Sequence, residues 1–279
     1  MSAGQTVGDY LAAVGEHLET IPRPPRYVLK GLSIVGFLAV WWLLVELGVL
    51  GFDLITTPLE AVVALSGFVM GEPLTNGGES LYVHSYYTLY RVGIGTGMAV
   101  ALGVPLGLLV GWSDWWDSYV GPALELLRPI PPVAWVPIAL VAFSNDLLSI
   151  VWVVFIGAFF PILINTSEGV RQIESDYIKA VQSLGGDSWH LFRHVIIPAM
   201  IPSMATGIMI GIGIGWIAVV AAEMISGDFG IGYITYQAYR LMQTETVVVG
   251  IIILGTYGAV SSFAVAKLGE KLTPWTDGA

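Results

Sequence analysis

The sequence predicts an all-α polytopic membrane protein with six transmembrane helices. Of its 279 residues, 55% are hydrophobic and only 11% are charged, and the mean hydropathy is +0.76. Long apolar stretches alternate with short polar ones, and most are close to the roughly 20 residues that cross a bilayer as a helix. Such a composition is atypical of a soluble domain.

The six predicted segments are 31–50, 86–112, 115–143, 147–164, 200–222 and 246–266. The third is interrupted at 128–132, where Arg128 is followed by three prolines and one isoleucine, a pattern that breaks a helix. A broken helix is tolerated in a membrane only where protein or water covers it. The sequence therefore favours a pathway or a subunit contact near Arg128. Residues 51–84 and 223–244 are predicted as outer connections.

The distribution of basic residues predicts the orientation. In this topology nine of the eleven Lys and Arg residues fall on the side of the N-terminus, and only Arg91 and Arg240 fall on the other. The positive-inside rule then places both termini in the cytoplasm. We expect a cytoplasmic segment at 1–29 without a cleaved signal peptide, a transmembrane domain at 30–270 and a cytoplasmic tail at 271–279.

A polar run at 174–202 separates the fourth and fifth segments. Its many charged and histidine side chains exclude it from the membrane interior. Helical spacing of apolar residues over 177–184 ends at Gly185-Gly186, and Asp187 or Ser188 is placed to cap a second helix. The pattern predicts two short helices with a glycine bend. Their apolar face must be covered by the membrane boundary or by another protein.

This run resembles the EAA loop of the permease subunits of binding-protein-dependent ABC importers. Gly185 and Pro198 match the family pattern in identity and register. Lys179 replaces the usual Glu and thereby reverses a charge, Val181 replaces the second Ala, and Ile197 replaces a Leu. The resemblance extends over about residues 30–270. The stretches that resemble the nitrate, sulfonate and taurine branch are 126–140, 157–166 and 221–234.

The resemblance implies a type I ABC importer (MetI-like) permease fold with cytoplasmic coupling helices in the loop 168–202. It implies a multi-pass plasma-membrane subunit that translocates a small anion or zwitterion such as nitrate, a sulfonate, taurine or bicarbonate. The implied partners are a second permease copy, two ATPase subunits, an extracytoplasmic substrate-binding protein and membrane lipid, with no nucleic acid. The chain itself is expected to be no enzyme and to hold no cofactor, because ATP and Mg²⁺ would bind the ATPase.

The resemblance also implies which residues couple transport to ATP hydrolysis. The helix spacing makes Tyr177, Val181 and Leu184 the expected anchors, because the sequence offers their apolar face no partner within the chain. The full set of expected coupling residues is Tyr177, Lys179, Ala180, Val181, Leu184, Gly185, Gly186 and Pro198.

The candidate pathway residues are Arg128, Trp135, Asn165, Trp216 and Glu223. Arg128 would attract an anion inside the pathway, or would extend to the inner interface. Glu223 would face a cavity, or would be structural and pair with an arginine. The tryptophans could equally be packing residues. His190 and His194 share a helical face but have no third ligand nearby in sequence, which favours a protein contact over a metal site.

A stand-alone secondary transporter or channel is the alternative function. Such a protein would need several buried acids for ion coupling, and the sequence offers only Glu223. A membrane-embedded enzyme has no catalytic constellation to support it, and the sequence contains no P-loop.

Overall fold

The computed structural model describes residues 25–75 and 78–274, most of them as α-helix. Most of the predicted N-terminal segment 1–29 and of the predicted tail 271–279 lies outside these residues, and the boundaries of these domains stay predictions. Among the described residues no strand occurs, apart from one bridge between Pro73 and Ser80. The chain divides into two compact units, residues 1–59 and residues 60–279.

The first unit contains helix α1, Arg26–Glu46, and a 3₁₀ helix, Val49–Leu54. Helix α1 is apolar along its length, and nearly all of its side chains are exposed. Such a surface is typical of a helix whose solvent is lipid. The helix ends before Gly48, which has a φ of 59° and donates its N–H to the carbonyl of Val45.

The remaining helices are α2 (Pro58–Val69), α3 (Leu81–Trp112), α4 (Asp114–Leu127), a 3₁₀ helix (Pro132–Trp135), α5 (Val136–Ala142), α6 (Asp146–Arg171), α7 (Ser175–Ser183), α8 (Ser188–Leu191), a π-helical turn (Phe192–Ile196), α9 (Ile197–Ser226), α10 (Ile231–Arg240) and α11 (Thr244–Leu272).

The number of membrane-spanning segments agrees with the prediction when one bent pair is included. Among the described residues five helical stretches are long and apolar enough to span a membrane, by length and composition: Tyr27–Glu46, Leu81–Trp112, Asp146–Arg171, Ser188–Ser226 and Thr244–Leu272. The pair Asp114–Leu127 and Pro132–Ala142 is bent by 90° and makes the sixth. The predicted break at 128–132 is confirmed, because the prolines interrupt the helix there.

Two helices in the connections escaped the sequence prediction. Helix α2 lies in the stretch 51–84 and starts at Pro58, whose fixed φ suits the first helical turn. Helix α10 lies in the stretch 223–244, where the glycines indicated only a turn. Helix α3 also begins at Leu81, before the predicted start at residue 86, because the polar residues His84 and Ser85 are buried rather than exposed to water.

Helix α6 lies at the centre of the second unit and packs along both α3 and α9. The main core cluster joins Ile150, Val153 and Val154 of α6 to Trp216 and Val219 of α9. Buried apolar side chains without competing polar groups allow this close contact, so dispersion between well-packed surfaces holds the three helices together.

Glycines set how closely the backbones approach. A Cβ added at Gly107 of α3 would lie 2.5 Å from the carbonyl oxygen of Leu163, and one at Gly211 of α9 would lie 2.9 Å from that of Ala158. Gly93 and Gly97 lie in the same helix as Gly107, but both face open space. Only part of the glycine pattern in α3 therefore serves helix packing.

Replacing Gly107 by alanine is expected to destabilise the protein by about 1–3 kcal/mol, because the new methyl group overpacks the contact with α6. Gly97→Ala is the matched control, since nothing lies within 4 Å of its added Cβ. Thermal unfolding in detergent, followed by size-exclusion chromatography, measures both variants. Equal midpoints for the two variants would contradict the assignment of Gly107 to the interface.

Candidate functional site

The loop between α6 and α9 contains the predicted pair of short helices. Helix α7 ends at Ser183, and Gly185 follows with a φ of 78°, a left-handed conformation that confirms the predicted glycine bend. The N–H of Gly186 donates to the carbonyl of Val181 at 2.9 Å, and that of Gly185 to the carbonyl of Gln182 at 3.0 Å. These bonds satisfy carbonyls at the end of α7 and fix the bend.

The second short helix is capped by Asp187, one of the two residues predicted for this position. Its Oδ1 accepts the backbone N–H of His190 at 2.9 Å and lies 2.6 Å from the Nδ1 of the His190 ring. These bonds hold the pKa of the Asp187 carboxyl below its usual range, because they favour the ionised form. The helix continues through a π-helical turn into α9, with Pro198 in the first turn of α9.

The apolar face of α7 is partly covered by the chain itself. Val181 is half-buried and packs with Ile178 against a cluster formed by Val170, Leu191 and Met200. The expectation that Val181 lacks a partner within the chain was therefore wrong, because residues from α6, α8 and α9 meet beneath it. The packing attaches the loop firmly to the ends of α6 and α9.

A second set of side chains in the loop faces outward. Tyr177 is 60% exposed, Leu184 89% and Trp189 61%. Ala180 and Lys179 are exposed as well, and Lys179 pairs with Asp176 on its own helix at 3.2 Å. Exposed large apolar groups in a polar loop are typical of a surface that another protein covers.

A cleft of 400 Å³ adjoins the bend and is lined by Val181, Leu184, Gly185, Gly186, His190 and His194. The two histidine rings stack with their centroids 6.0 Å apart. Within the described ranges no group of three His, Asp or Glu side chains is arranged to hold a metal ion. A protein contact for these histidines remains a prediction.

A different cleft, of 320 Å³, brings together two of the predicted pathway residues. Arg128 from the break after α4 and Asn165 from α6 both line it, together with apolar groups of α6 and α9. Trp135 lies half-buried in the neighbouring core, and its Nε1 has no hydrogen-bond partner among the residues that the structure describes.

Trp216 and Glu223 lie away from this cleft. The Nε1 of Trp216 donates to Ser261 of α11 at 2.9 Å, and its ring packs beside Tyr257. Glu223 is fully buried near the end of α9, where its Oε1 accepts from the Nη1 of Arg91 at 2.8 Å. A structural pairing of Glu223 with an arginine was one of the two alternatives, and the structure contains that pair.

Glu223 is the centre of a buried polar network. The hydroxyl of Thr88 donates to its carboxylate at 3.0 Å, and the N–H of Gly232 donates to its Oε2 at 3.0 Å. Arg91 also donates to the carbonyl of Phe229. The carboxylate is thus satisfied by one cation and two neutral donors, as a buried charge requires.

The same network fixes the start of α10. The N–H of Ile231 donates to the hydroxyl of Thr88 at 2.8 Å, and the N–H of Gly230 donates to the Nδ1 of His84 at 3.1 Å. Sequence reasoning missed His84, Thr88 and Arg91. An arginine inside an apolar segment was the available signal, because such a residue requires a buried partner.

Comparison with known proteins identifies the class. Residues 103–274 match the family described as "Binding-protein-dependent transport system inner membrane component". The nitrate import permease protein NrtB of Synechocystis sp. is 32% identical over 252 residues, which cover 90% of each chain. The bicarbonate transport system permease protein CmpB of Synechococcus elongatus is 35% identical over 243 residues, covering 85% of this chain and 86% of that protein.

A solved structure has the same fold. It is one titled as inward-facing conformations of the MetNI methionine ABC transporter, with a TM-score of 0.58 and 19% sequence identity. The match covers 67% of this chain and 94% of that chain.

The chain is therefore a membrane-embedded transport subunit, and it belongs to the family of binding-protein-dependent transport system inner membrane components. Within that family it is a permease subunit of an ABC importer, and it is a multi-pass membrane protein. The predicted class and the type I permease fold are confirmed.

Glu223→Gln is expected to destabilise the protein by about 3–5 kcal/mol, because Arg91 would be left as an uncompensated buried charge. Asp176→Asn is the control, since its ion pair with Lys179 lies on the surface and contributes about 1 kcal/mol or less. Thermal unfolding in detergent measures how far the unfolding midpoint of each variant differs from that of the wild type. A Glu223→Gln midpoint close to the wild-type value would show that the pair contributes little to stability.

Proposed function

We propose that the chain is the permease of an importer for small oxyanions, supplied by a substrate-binding protein and driven by a separate ATPase. The similarity to nitrate and bicarbonate permeases over at least 85% of the chain carries this proposal. Both of those ions are small, planar and singly charged. ATP and Mg²⁺ would bind the ATPase, and this chain would contribute no cofactor and no catalytic residue.

The proposed assembly holds two copies of this chain and two ATPase subunits in the lipid bilayer. The broken segment after α4 supports a pairing of two permeases, because interrupted helices need protein or water around them. The cleft with Arg128 and Asn165 would then face the pathway between the copies. Trp135, Trp216 and Glu223 would act on that pathway through packing, since they line other parts of the fold.

The proposed orientation places both termini in the cytoplasm. The loop that carries α7 and α8 would lie on the same side, where Lys179 and Arg193 are exposed. The network around Glu223 would then lie near the outer surface, at the opposite end of α9 from that loop. In this orientation nine of the eleven Lys and Arg residues lie on the cytoplasmic side, as the positive-inside rule requires.

The outward-facing residues of the loop are proposed to bind the ATPase. Tyr177, Leu184 and Trp189 would enter a groove on that subunit, in the manner of an amphipathic helix. Val181 would have a different role from the one first expected. By packing against α6 and α9, it would transmit movement of the ATPase to the membrane helices as a rigid body.

A stand-alone secondary transporter is not favoured. Among the described residues Glu223 has the only buried carboxylate, and its charge is neutralised by Arg91. Buried acids that couple ions to transport need to gain and lose charge, and a permanent ion pair opposes this. The structure thus offers this mechanism no free coupling group within the described ranges.

The proposed function predicts ATP-dependent uptake of an oxyanion. Proteoliposomes that hold this chain with its ATPase and binding protein are expected to accumulate nitrate, bicarbonate or a short aliphatic sulfonate only when ATP is supplied. Omitting the binding protein is the control and should abolish uptake. Uptake driven by an ion gradient without ATP would support the secondary transporter instead.

The bend at Gly185 gives a test of coupling. Gly185→Val should abolish uptake while leaving membrane insertion intact, because a β-branched residue is strained at a φ of 78°. Gly185→Asn is the matched control, since asparagine tolerates this backbone conformation and open space surrounds the position. Normal uptake by Gly185→Val would remove the bend from the coupling mechanism.

A further inference from the structure

The cleft beside the helix break contains one charged side chain in apolar surroundings. Arg128 and Asn165 are its principal polar groups, and the walls include Pro132, Phe160 and Ile214. Its volume of 320 Å³ is well above that of a four-atom oxyanion and leaves room for accompanying water. A cation next to apolar walls produces a positive potential in the cleft.

Arg128 has no ionic partner within the described ranges. Asp117, Glu125 and Glu168 line the adjoining cleft that Arg128 also borders, yet none forms a salt bridge with it. Arg171, which lines the same adjoining cleft, is paired with Asp117 at 2.5 Å. Arg171 therefore forms a structural ion pair, whereas the guanidinium of Arg128 is available to bind an anion.

The position of Arg128 is fixed by the helix break. Its backbone N–H donates to the carbonyl of Leu124 at 2.9 Å, so the residue closes the last turn of α4. The chain then turns by 90° into the segment that begins at Pro132. The guanidinium therefore lies at a bend that borders both clefts, rather than on a helix face surrounded by lipid.

Asn165 offers a neutral donor in the same cleft. One N–H of its Nδ2 donates to the carbonyl of Pro161 at 2.8 Å, and this bond orients the side-chain amide. The second N–H of the same group has no hydrogen-bond partner among the described residues. A guanidinium and an amide N–H together form a donor set suited to an anion with several oxygen atoms.

We propose that Arg128 forms an oxyanion-binding subsite in this cleft, with Asn165 as an additional donor. This inference rests on the proposed function and assigns the recognition of its substrate class to particular atoms. The guanidinium donates two parallel N–H bonds, which match two oxygens of a nitrate, bicarbonate or sulfonate group. A halide accepts the same two N–H groups at a single atom and with less linear bonds, so the subsite favours oxyanions over chloride.

The subsite is also suited to releasing its ion. Arg128 is exposed, and of the described residues that line the cleft it alone has a formal charge. A single solvent-accessible cation binds a small anion weakly, and a transport pathway requires a site that the ion can leave. We therefore assign selection within the pathway to this site, and tight capture to the binding protein.

The first experiment compares variants of the complete complex in proteoliposomes at a low concentration of nitrate and of bicarbonate. Arg128→Gln is expected to lower uptake about five- to tenfold, which corresponds to losing one charge-assisted hydrogen-bonded contact at an exposed site. Arg128→Lys should give an intermediate loss, because lysine keeps the charge without the planar fork. Arg171→Gln is the matched control and should stay within about twofold, since its ion pair is half-exposed.

Stimulation of ATP hydrolysis by the loaded binding protein is measured in the same samples and should remain normal in all variants. This readout separates a binding role from a structural one. If Arg128→Gln lost ATPase stimulation together with uptake, Arg128 would be a residue that supports the fold of the break, and the subsite would be rejected.

The second experiment restores the charge chemically in one protein preparation. The chain has no cysteine, so in Arg128→Cys complexes the wild-type complex sets the reagent background. Modification with an aminoethyl thiosulfonate should recover much of the lost uptake, whereas the uncharged methyl reagent should not. Nitrate should slow the modification more than chloride does. Equal recovery with both reagents, or no protection by nitrate, would overturn the proposal.

The outcomes for the subsite and for the proposed function are distinct. If the wild-type complex takes up none of the three oxyanions, the proposed substrate class is wrong. If the wild-type complex transports one of them and Arg128→Gln transports it equally well, the importer stands and the subsite alone is rejected.

Discussion

The buried ion pair between Arg91 and Glu223 is the interaction on which the fold around the start of α10 depends. It joins α3 to α9, and through Phe229 and Gly232 it also fixes the start of α10. Helices in a bilayer gain little from the hydrophobic effect between them, so a satisfied polar contact has unusual influence on their arrangement. Removing one partner leaves the other charged in an apolar interior, at a cost of about 3–5 kcal/mol.

The helices with long apolar runs could be predicted from the sequence, since the bilayer imposes their length and composition. Helices α2 and α10 could not, because both are short, and the glycines before α10 were equally consistent with a turn. The pairing of Arg91 with Glu223 could not be predicted from the sequence either. The two residues are 132 positions apart, and nothing local in either segment specifies which charge the other will meet.

The candidate site shows the same division between local and distant causes. The bend at Gly185 and the cap at Asp187 follow from residues within one or two turns. The sequence predicted the bend and limited the cap to Asp187 or Ser188. The inward packing of Val181 depends on Val170 and Met200, which lie in other helices. Arg128 and Asn165 line one cleft because the broken segment turns towards α6. The direction of that turn cannot be predicted from the hydrophobic periodicity of the sequence.

The close backbone contacts of α6 limit how this protein can change shape. At Gly107 and Gly211 the carbonyls of α6 occupy the space that side chains would otherwise fill. Sliding either neighbour along its axis by one residue would bring a bulkier group against those carbonyls, so axial slippage is blocked in both directions. We infer that α3, α6 and α9 move together as one block, and that the conformational change of transport occurs where this block meets its surroundings.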